Sequence, residues 1–427
     1  MKFHYPLLLV ALLCSGLLPA RGLSQAPENL ATGSLATEPS AAHSKSWLPV
    51  FWNHKRSCAC TTCDMQRSWE AGYSFGSVEY LMMWSKPRSV PALVTTSDPG
   101  DDGVLGAPTT ETLFGGDQGG GLRNGGLITA GRWLGANADL GLGVRLMAVE
   151  SNSPEFSESA SFGAIGSSGR LLARPFLDAT SGSGFESAAP IAEAGLAEGS
   201  VTALSRNDLM TGELFLRREA WDGRGFEVEF LMGYHVTRLD DLIEVSSSSN
   251  ITGAGGLFGV GTTVDATDQF EARNSFHGGS LGLSADFHRG NIHFKALGKV
   301  SLGNMNQQVM INGSNTITPL GGAATTTAGG LLAQATNIGD YERNEFVYVP
   351  EIMMTVAYDW RENIQLTAGY SFTYWSRICL AGDQIDRRVN TTQVNGGTLV
   401  GNALPEFSFQ DTDFWLQGIR LGFNWAY

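Results

Sequence analysis

The stretch TDFWLQGIRLGFNWAY, residues 412–427, decides how this chain folds. Counted back in steps of two, Tyr427, Trp425, Phe423, Leu421, Ile419, Gln417 and Trp415 share one face, and all but Gln417 are large and apolar. The interleaved residues Ala426, Asn424, Gly422, Arg420, Gly418, Leu416 and Phe414 are small or polar over most of the run. A period of two marks a β-strand with one apolar face. Strands of soluble proteins are usually about 5–6 residues long. A strand of this length, aromatic at both ends, suits the crossing of a membrane.

Working outward, the same period returns in residues 73–84, 125–134, 138–150, 208–218, 225–238, 268–287, 291–303, 345–358 and 363–377. In 225–238, for example, Phe226, Val228, Phe230, Met232, Tyr234 and Val236 alternate with Glu227, Glu229, Gly233 and His235. Pro350 interrupts one stretch and marks a bulge there, because it has no N–H for the ladder. The links sort by length. Residues 135–137, 219–224, 288–290 and 359–362 are short; 85–124, 151–207, 239–267, 304–344 and 378–411 are long, and the two kinds alternate strictly. Tight periplasmic turns and extended outer loops are the outer-membrane layout. The expected fold is therefore all-β: a transmembrane up-and-down antiparallel β-barrel of about ten strands. Twelve are possible if a long link pairs into the wall. Residues 173–178 are the segment that would either join the wall or tuck into the lumen as a constriction.

Composition agrees with this class. Charged residues make up 16 % of 427, aromatics 10 %, and there are 54 glycines, a mixture poor for helices and suited to glycine-kinked strands. A net charge of −14 with no basic stripe argues against nucleic acid as a partner. Lys2, the apolar run 6–18 and the small residues around Ser24 and Ala26 read as a cleaved signal peptide over 1–26, which implies export; with the barrel pattern, the expected place is the outer membrane. Residues 27–70 carry Ser, Ala, Pro and charge without a period and read as a flexible periplasmic arm, leaving 71–427 for the barrel. The arm holds His54, Cys58, Cys60 and Cys63, a spacing that suits zinc, a local disulfide or unpaired thiols; lacking a second matched pair, it is a weak metal candidate and no cofactor is assigned.

Several longer motifs carry a resemblance. VEYLMMWSKP (78–87), LVTTS (93–97), LLARPFLD (171–178), GELFLRRE (212–219) and FLMGYHVTRLDDLIEV (230–245) come first in order. FHGGSLGL (276–283), KVSLGNMNQQVMINGS (299–314), ATNIG (335–339), PEIMMTVAYDW (350–360), GYSFTYWSRICLAGDQIDRRVN (369–390) and FWLQGIRLGF (414–423) follow. Together they make the chain resemble the putative beta-barrel porin-7 family of planctomycete outer-membrane proteins. The resemblance implies a barrel and outer-membrane placement; it brings no substrate and no catalytic residues. Cys379 departs from the family, where an Arg or similar residue is expected before GDQID. The terminal strand also resembles the C-terminal recognition strand of bacterial outer-membrane barrels, which implies the barrel-assembly machinery and outer-membrane lipid as partners.

If the apolar face meets lipid, the other lines the lumen. It carries Glu79, Glu213, Glu227, Glu229, Asp286 and Glu351 against Arg132, Arg145, Arg217, Lys295, Lys299, Arg377 and Arg420. Near-balanced charges on facing strands suit an ion-pair network as well as a pore. Ten strands stand near the closed end of the barrel series. Two readings stay open: a narrow porin for passive diffusion of small solutes, or a structural or surface-interaction barrel with a filled lumen. Tyr80, Trp84, Trp133, Tyr358, Trp415, Trp425 and Tyr427 are expected to form the aromatic girdle. Arg420 is expected to meet Glu79 where the last strand closes on the first. Asp240 and Asp241 near His235 and His277 are the one place where acid–base chemistry can be sought, and ordinary solvated rim carboxylates account for them better. No enzyme is expected. Asp101–Asp102 and Gly382–Asp386 lack the acidic density of a calcium loop.

Overall fold

The computed structural model describes residues 74–426 except 135–139, 162–169, 183, 224 and 255. The expected signal peptide and arm, His54, Cys58, Cys60, Cys63 and Tyr427 lie outside the described residues. In chain order the strands begin with β1 (Ser74–Ser85), β2 (Arg88–Ser97), β3 (Glu111–Gln118), β4 (Leu122–Leu134), β5 (Leu140–Asn152) and β6 (Glu155–Ala160). Next come β7 (Leu171–Asp178), β8 (Phe185–Ala192), β9 (Ala197–Gly223), β10 (Phe226–Ile251), β11 (Thr263–Arg289) and β12 (Ile292–Thr318). The last are β13 (Thr325–Ala328), β14 (Gly339–Arg361), β15 (Ile364–Ile378), β16 (Arg388–Val389) and β17 (Thr412–Ala426).

Ten of these strands form the wall. The ring runs β1, β4, β5, β9, β10, β11, β12, β14, β15, β17, and β17 pairs antiparallel with β1 to close it. Closure removes every free edge, which is what a sheet needs in a solvent that cannot hydrogen-bond its backbone. Phe230, Met232, Tyr234 and Val236 of β10 stand exposed on the outer face, while Glu229 and His235 are buried on the inner one. The terminal strand behaves alike: Ile419, Leu421 and Phe423 point out and Arg420 points in.

Strands β9 to β12 do not stop where the lipid-facing pattern stops. They reach 26 or 27 residues, and beyond the apolar band their faces exchange character. In β10 the inward Leu239, Ile243 and Val245 become buried, whereas outward Asp240 pairs with Arg238 at 2.8 Å. In β12 the exposed Val300 and Leu302 give way to Asn304 and Asn306, bonded to Asn344 and Glu342 at 2.8 and 2.6 Å. Residues 239–267 and 304–344 are thus largely wall and not the loops that their composition suggests. Ser246 to Ser249 pair in register with residues 264–267.

The apolar lining of this upper wall is covered by a second sheet. It runs β16–β7–β2–β3 with β8 on the far side of β7; β16 lies parallel to β7. Val90, Leu93, Val94, Phe114, Leu172, Phe176 and Ile191 of the small sheet pack with the wall's Val201, Ala203, Ile243, Val245, Phe270, Val309 and Ile311. Each large side chain buried there contributes about 1.5–3 kcal/mol. Residues 173–178 therefore do not widen the ring: as β7 they take the inward course, forming part of a stopper inside the outer mouth.

Candidate functional site

The lumen is occupied in layers by side chains of the wall. Nearest the short turns lies a polar basin in which Arg217 donates to Glu229 at 2.9 Å and Lys295 donates to Gln365 at 3.0 Å. Above it Phe75, Trp133, Phe215 and Leu231 form an aromatic floor. Two glycines make room for it. A Cβ on Gly131 would stand 2.2 Å from the Phe75 ring, and one on Gly143 would stand 2.5 Å from Phe215, so neither position admits a side chain.

At mid-height sits a buried charge network. Lys299, whose side chain is 2 % exposed, lies 2.6 Å from Glu213 and 2.8 Å from Glu351. Arg145 lies 3.1 Å from Glu351 and 3.7 Å from Glu213, so two acids meet two bases. Ser280 adds a hydroxyl donor to Glu213 at 2.7 Å, and His235 is joined to Ser301 at 2.9 Å. At the seam Arg420 reaches Glu79 at 2.7 Å and Thr355 at 2.7 Å. The space between these groups is a cavity of about 20 Å³, enough for about one water. Immediately above, Leu81, Met83, Leu127, Leu209, Leu239, Phe276, Met305, Val347, Trp375 and Phe414 close the bore with a continuous apolar layer.

Higher still, the stopper is bound to the wall by two buried ion pairs. Arg88 of β2 pairs with Asp241 of β10, and Arg174 of β7 lies 2.5 Å from Asp268 of β11. Asp241 also accepts the Ala381 N–H at 2.8 Å, and Asp268 accepts the N–H groups of Leu331 and Ala333 at 3.0 and 2.8 Å. Arg123 reaches Asn207 at 3.0 Å in the same tier. Of these six residues the sequence singles out Asp241 alone, and for a different role, because all of them fall where no long apolar period runs. The one available signal is Arg88 and Arg174, lone cations in otherwise apolar segments.

The sequence places most lumen residues on the face where they are found, with two corrections. Arg132 is exposed on the outer face, and its neighbour Trp133 is buried within. The cause is local: Trp133 packs against glycine at position 141 and under the Arg217 guanidinium, 4.9 Å from its ring. Arg377 lies past a bulge, half exposed at the outer rim, 2.6 Å from Glu345. Glu227 and Asp286 are half-buried in the basin. Among the girdle residues, Tyr80, Trp84 and Tyr358 are exposed outward, and Trp415 and Trp425 share the outward face of β17. Trp221 and Trp360 join them unforeseen, exposed outward at the periplasmic ends of their strands.

The acid–base constellation does not assemble. Asp240 and Asp241 are adjacent on one strand and so face opposite ways, the first outward to Arg238 and Arg273, the second inward to Arg88. His235 points inward and His277 outward. Cys379 is buried in the stopper core, where desolvation pushes its thiol up to about 12 despite the Arg343 guanidinium nearby.

The family comparison agrees with a β-barrel. The family described as Putative beta barrel porin-7 (BBP7) matches residues 75–427. The chain belongs to that family. This BBP7 chain is an outer-membrane β-barrel, and no curated protein matches it. Among solved structures it is similar to the outer membrane protease OmpT from Escherichia coli, at 8 % identity and a TM-score of 0.38, over 83 % of this chain and 97 % of that one. It is also similar to a FadL homologue of Pseudomonas aeruginosa, at 9 % identity and a TM-score of 0.21, over 84 % and 90 %. The toluene transporter TodX of P. putida follows at 10 % and 0.19, over 85 % and 91 %. Matches this remote say nothing about what the BBP7 barrel does.

Proposed function

We propose that this BBP7 chain is a non-conducting outer-membrane barrel that holds a folded surface structure, the stopper and its loops, at the cell exterior. One observation carries the reading: the bore is crossed by an unbroken apolar layer directly above a buried ion-pair layer whose free space is about 20 Å³. Separating those charges would leave each buried without its partner, at a cost of about 3–5 kcal/mol per broken pair. The outward apolar band meets outer-membrane lipid, and the C-terminal strand is the element that the barrel-assembly machinery would recognise. Residues 1–26 would direct export as a signal peptide and be cleaved in the course of it. No chemical step is assigned, since Asp240, Asp241, His235 and His277 face different sides of the wall.

The second reading, passive diffusion of small solutes through a narrow pore, is favoured by the family description alone. It requires the stopper to leave and the ion-pair layer to part. Purified protein in a planar bilayer separates the two. Silence is expected from preparations whose mobility in detergent shifts on boiling, the mark of a folded barrel. Stepwise conductance by such a preparation overturns the closed-barrel reading.

A further inference from the structure

The periplasmic end of the barrel carries a group that the lumen reading does not use. His288 and His293 face each other directly across the β11–β12 hairpin, with ring centroids 5.4 Å apart. Gly290, at φ +62°, begins the tight turn between them. Asp286 stands two residues before His288 on the same face, and Lys295 opposite it. Single ligand atoms of Asp286, His288 and His293 all lie within 4.8 Å of one another.

We propose that Asp286, His288 and His293 form a binding site for a divalent transition metal, zinc in the first instance, that clips the inner end of the barrel. Two imidazoles and one carboxylate are the donor set of zinc, copper or nickel and not of calcium or magnesium, which take oxygen. Geometry agrees with the donors. Ligand atoms bonded at about 2.0–2.1 Å on a tetrahedral ion stand roughly 3.3 Å apart. Asp286 carboxylate oxygens lie 3.1 and 3.3 Å from His293 Nδ1. A turn of the His288 ring brings in the third donor, and water takes the open fourth position.

A separate observation supports the site. Asp359, from the adjoining β14, lies 3.2 Å from the other ring nitrogen, His293 Nε2. A carboxylate accepting from that nitrogen fixes the tautomer that leaves Nδ1 free to ligate, the usual arrangement behind metal-bound histidines. Lys295 is the competitor, 3.5 Å from Asp286 but nearer to Gln365 at 3.0 Å. The bland account of the same contacts is a protonated His293 held between two carboxylates.

Cobalt(II) absorption on the untagged full chain in detergent decides between them. His54→Ala, Cys58→Ser, Cys60→Ser and Cys63→Ser are introduced first, so that the N-terminal cluster contributes nothing. The expected result is one cobalt per chain, displaced by zinc, with visible bands of a tetrahedral nitrogen–oxygen site and no thiolate charge transfer. His293→Phe should abolish binding, and Asp359→Asn should weaken it about 10–100-fold. Boiling-dependent mobility verifies folding of each variant; where His293→Phe fails to fold, His288→Gln beside the turn is read in its place. Absence of stoichiometric cobalt or zinc, or binding that survives the histidine substitutions in folded protein, overturns the proposal.

Discussion

Lys299 is the residue on which the closed lumen depends most. It is the nearest cation to both Glu213 and Glu351, and all three are almost fully buried. Replacing it with Met leaves two carboxylates facing each other with Arg145 as their remaining counter-charge. A loss of about 3 kcal/mol is expected in urea unfolding followed by tryptophan fluorescence. Gln417→Leu on the lipid face is the contrasting change. It removes only the acceptor of the Tyr370 hydroxyl, 2.7 Å away on an exposed surface, and should stay within about 0.5 kcal/mol. Cys379 gives a readout of the stopper core: with its thiol pushed up to about 12, it should resist alkylation at pH 8 in folded protein and react on unfolding. Peptide mapping distinguishes it from the arm cysteines; rapid labelling in the folded state would contradict the buried placement.

At the scale of elements, the decisive part is the contact between stopper and wall. Arg88→Met or Asp241→Leu alone strands a buried charge, whereas both together replace the pair with apolar atoms. Each single variant should expose residues 88–118 to protease, and the double variant should recover part of the resistance. Strictly additive effects would show that the pair is not coupled. The strands themselves were legible wherever lipid imposes the pattern, because an apolar outer face with a polar inner one is required along the whole band. Above the band the requirement reverses. Leu239, Ile243 and Val245 turn inward among polar neighbours, and Ser246–Ser249 have the composition of a loop although they lie in a strand. Arg132 and Trp133 failed for a smaller reason: at a strand end no long run fixes parity, and a glycine on the next strand settled which side chain enters.

For the whole molecule, ring size and closure were open to inspection in the sequence, and occupancy of the bore was not. Charge balance on the inner faces allowed both a pore and a filled interior; the approach of Lys299, Arg145, Glu213 and Glu351 at mid-height, under the apolar layer, favours the second. Of the stopper only the inward course of residues 173–178 was open to expectation, for a related reason. Its strands are short, pair across long sequence separations such as β2 with β7, and carry no period to announce them.

The exchange of faces along β9–β12 also imposes an order of assembly. The upper segments cannot bury Ile243, Phe270 or Val309 until β2, β7 and β8 reach the same side of the membrane, and those strands lie in links that must first cross it. Wall closure is therefore expected to precede stopper docking, with the last packing step at the outer mouth of the barrel, away from periplasmic chaperones. In a refolding time course, boiling-sensitive mobility should appear before protease resistance of residues 88–118. Simultaneous appearance would mean that the loops cross already folded.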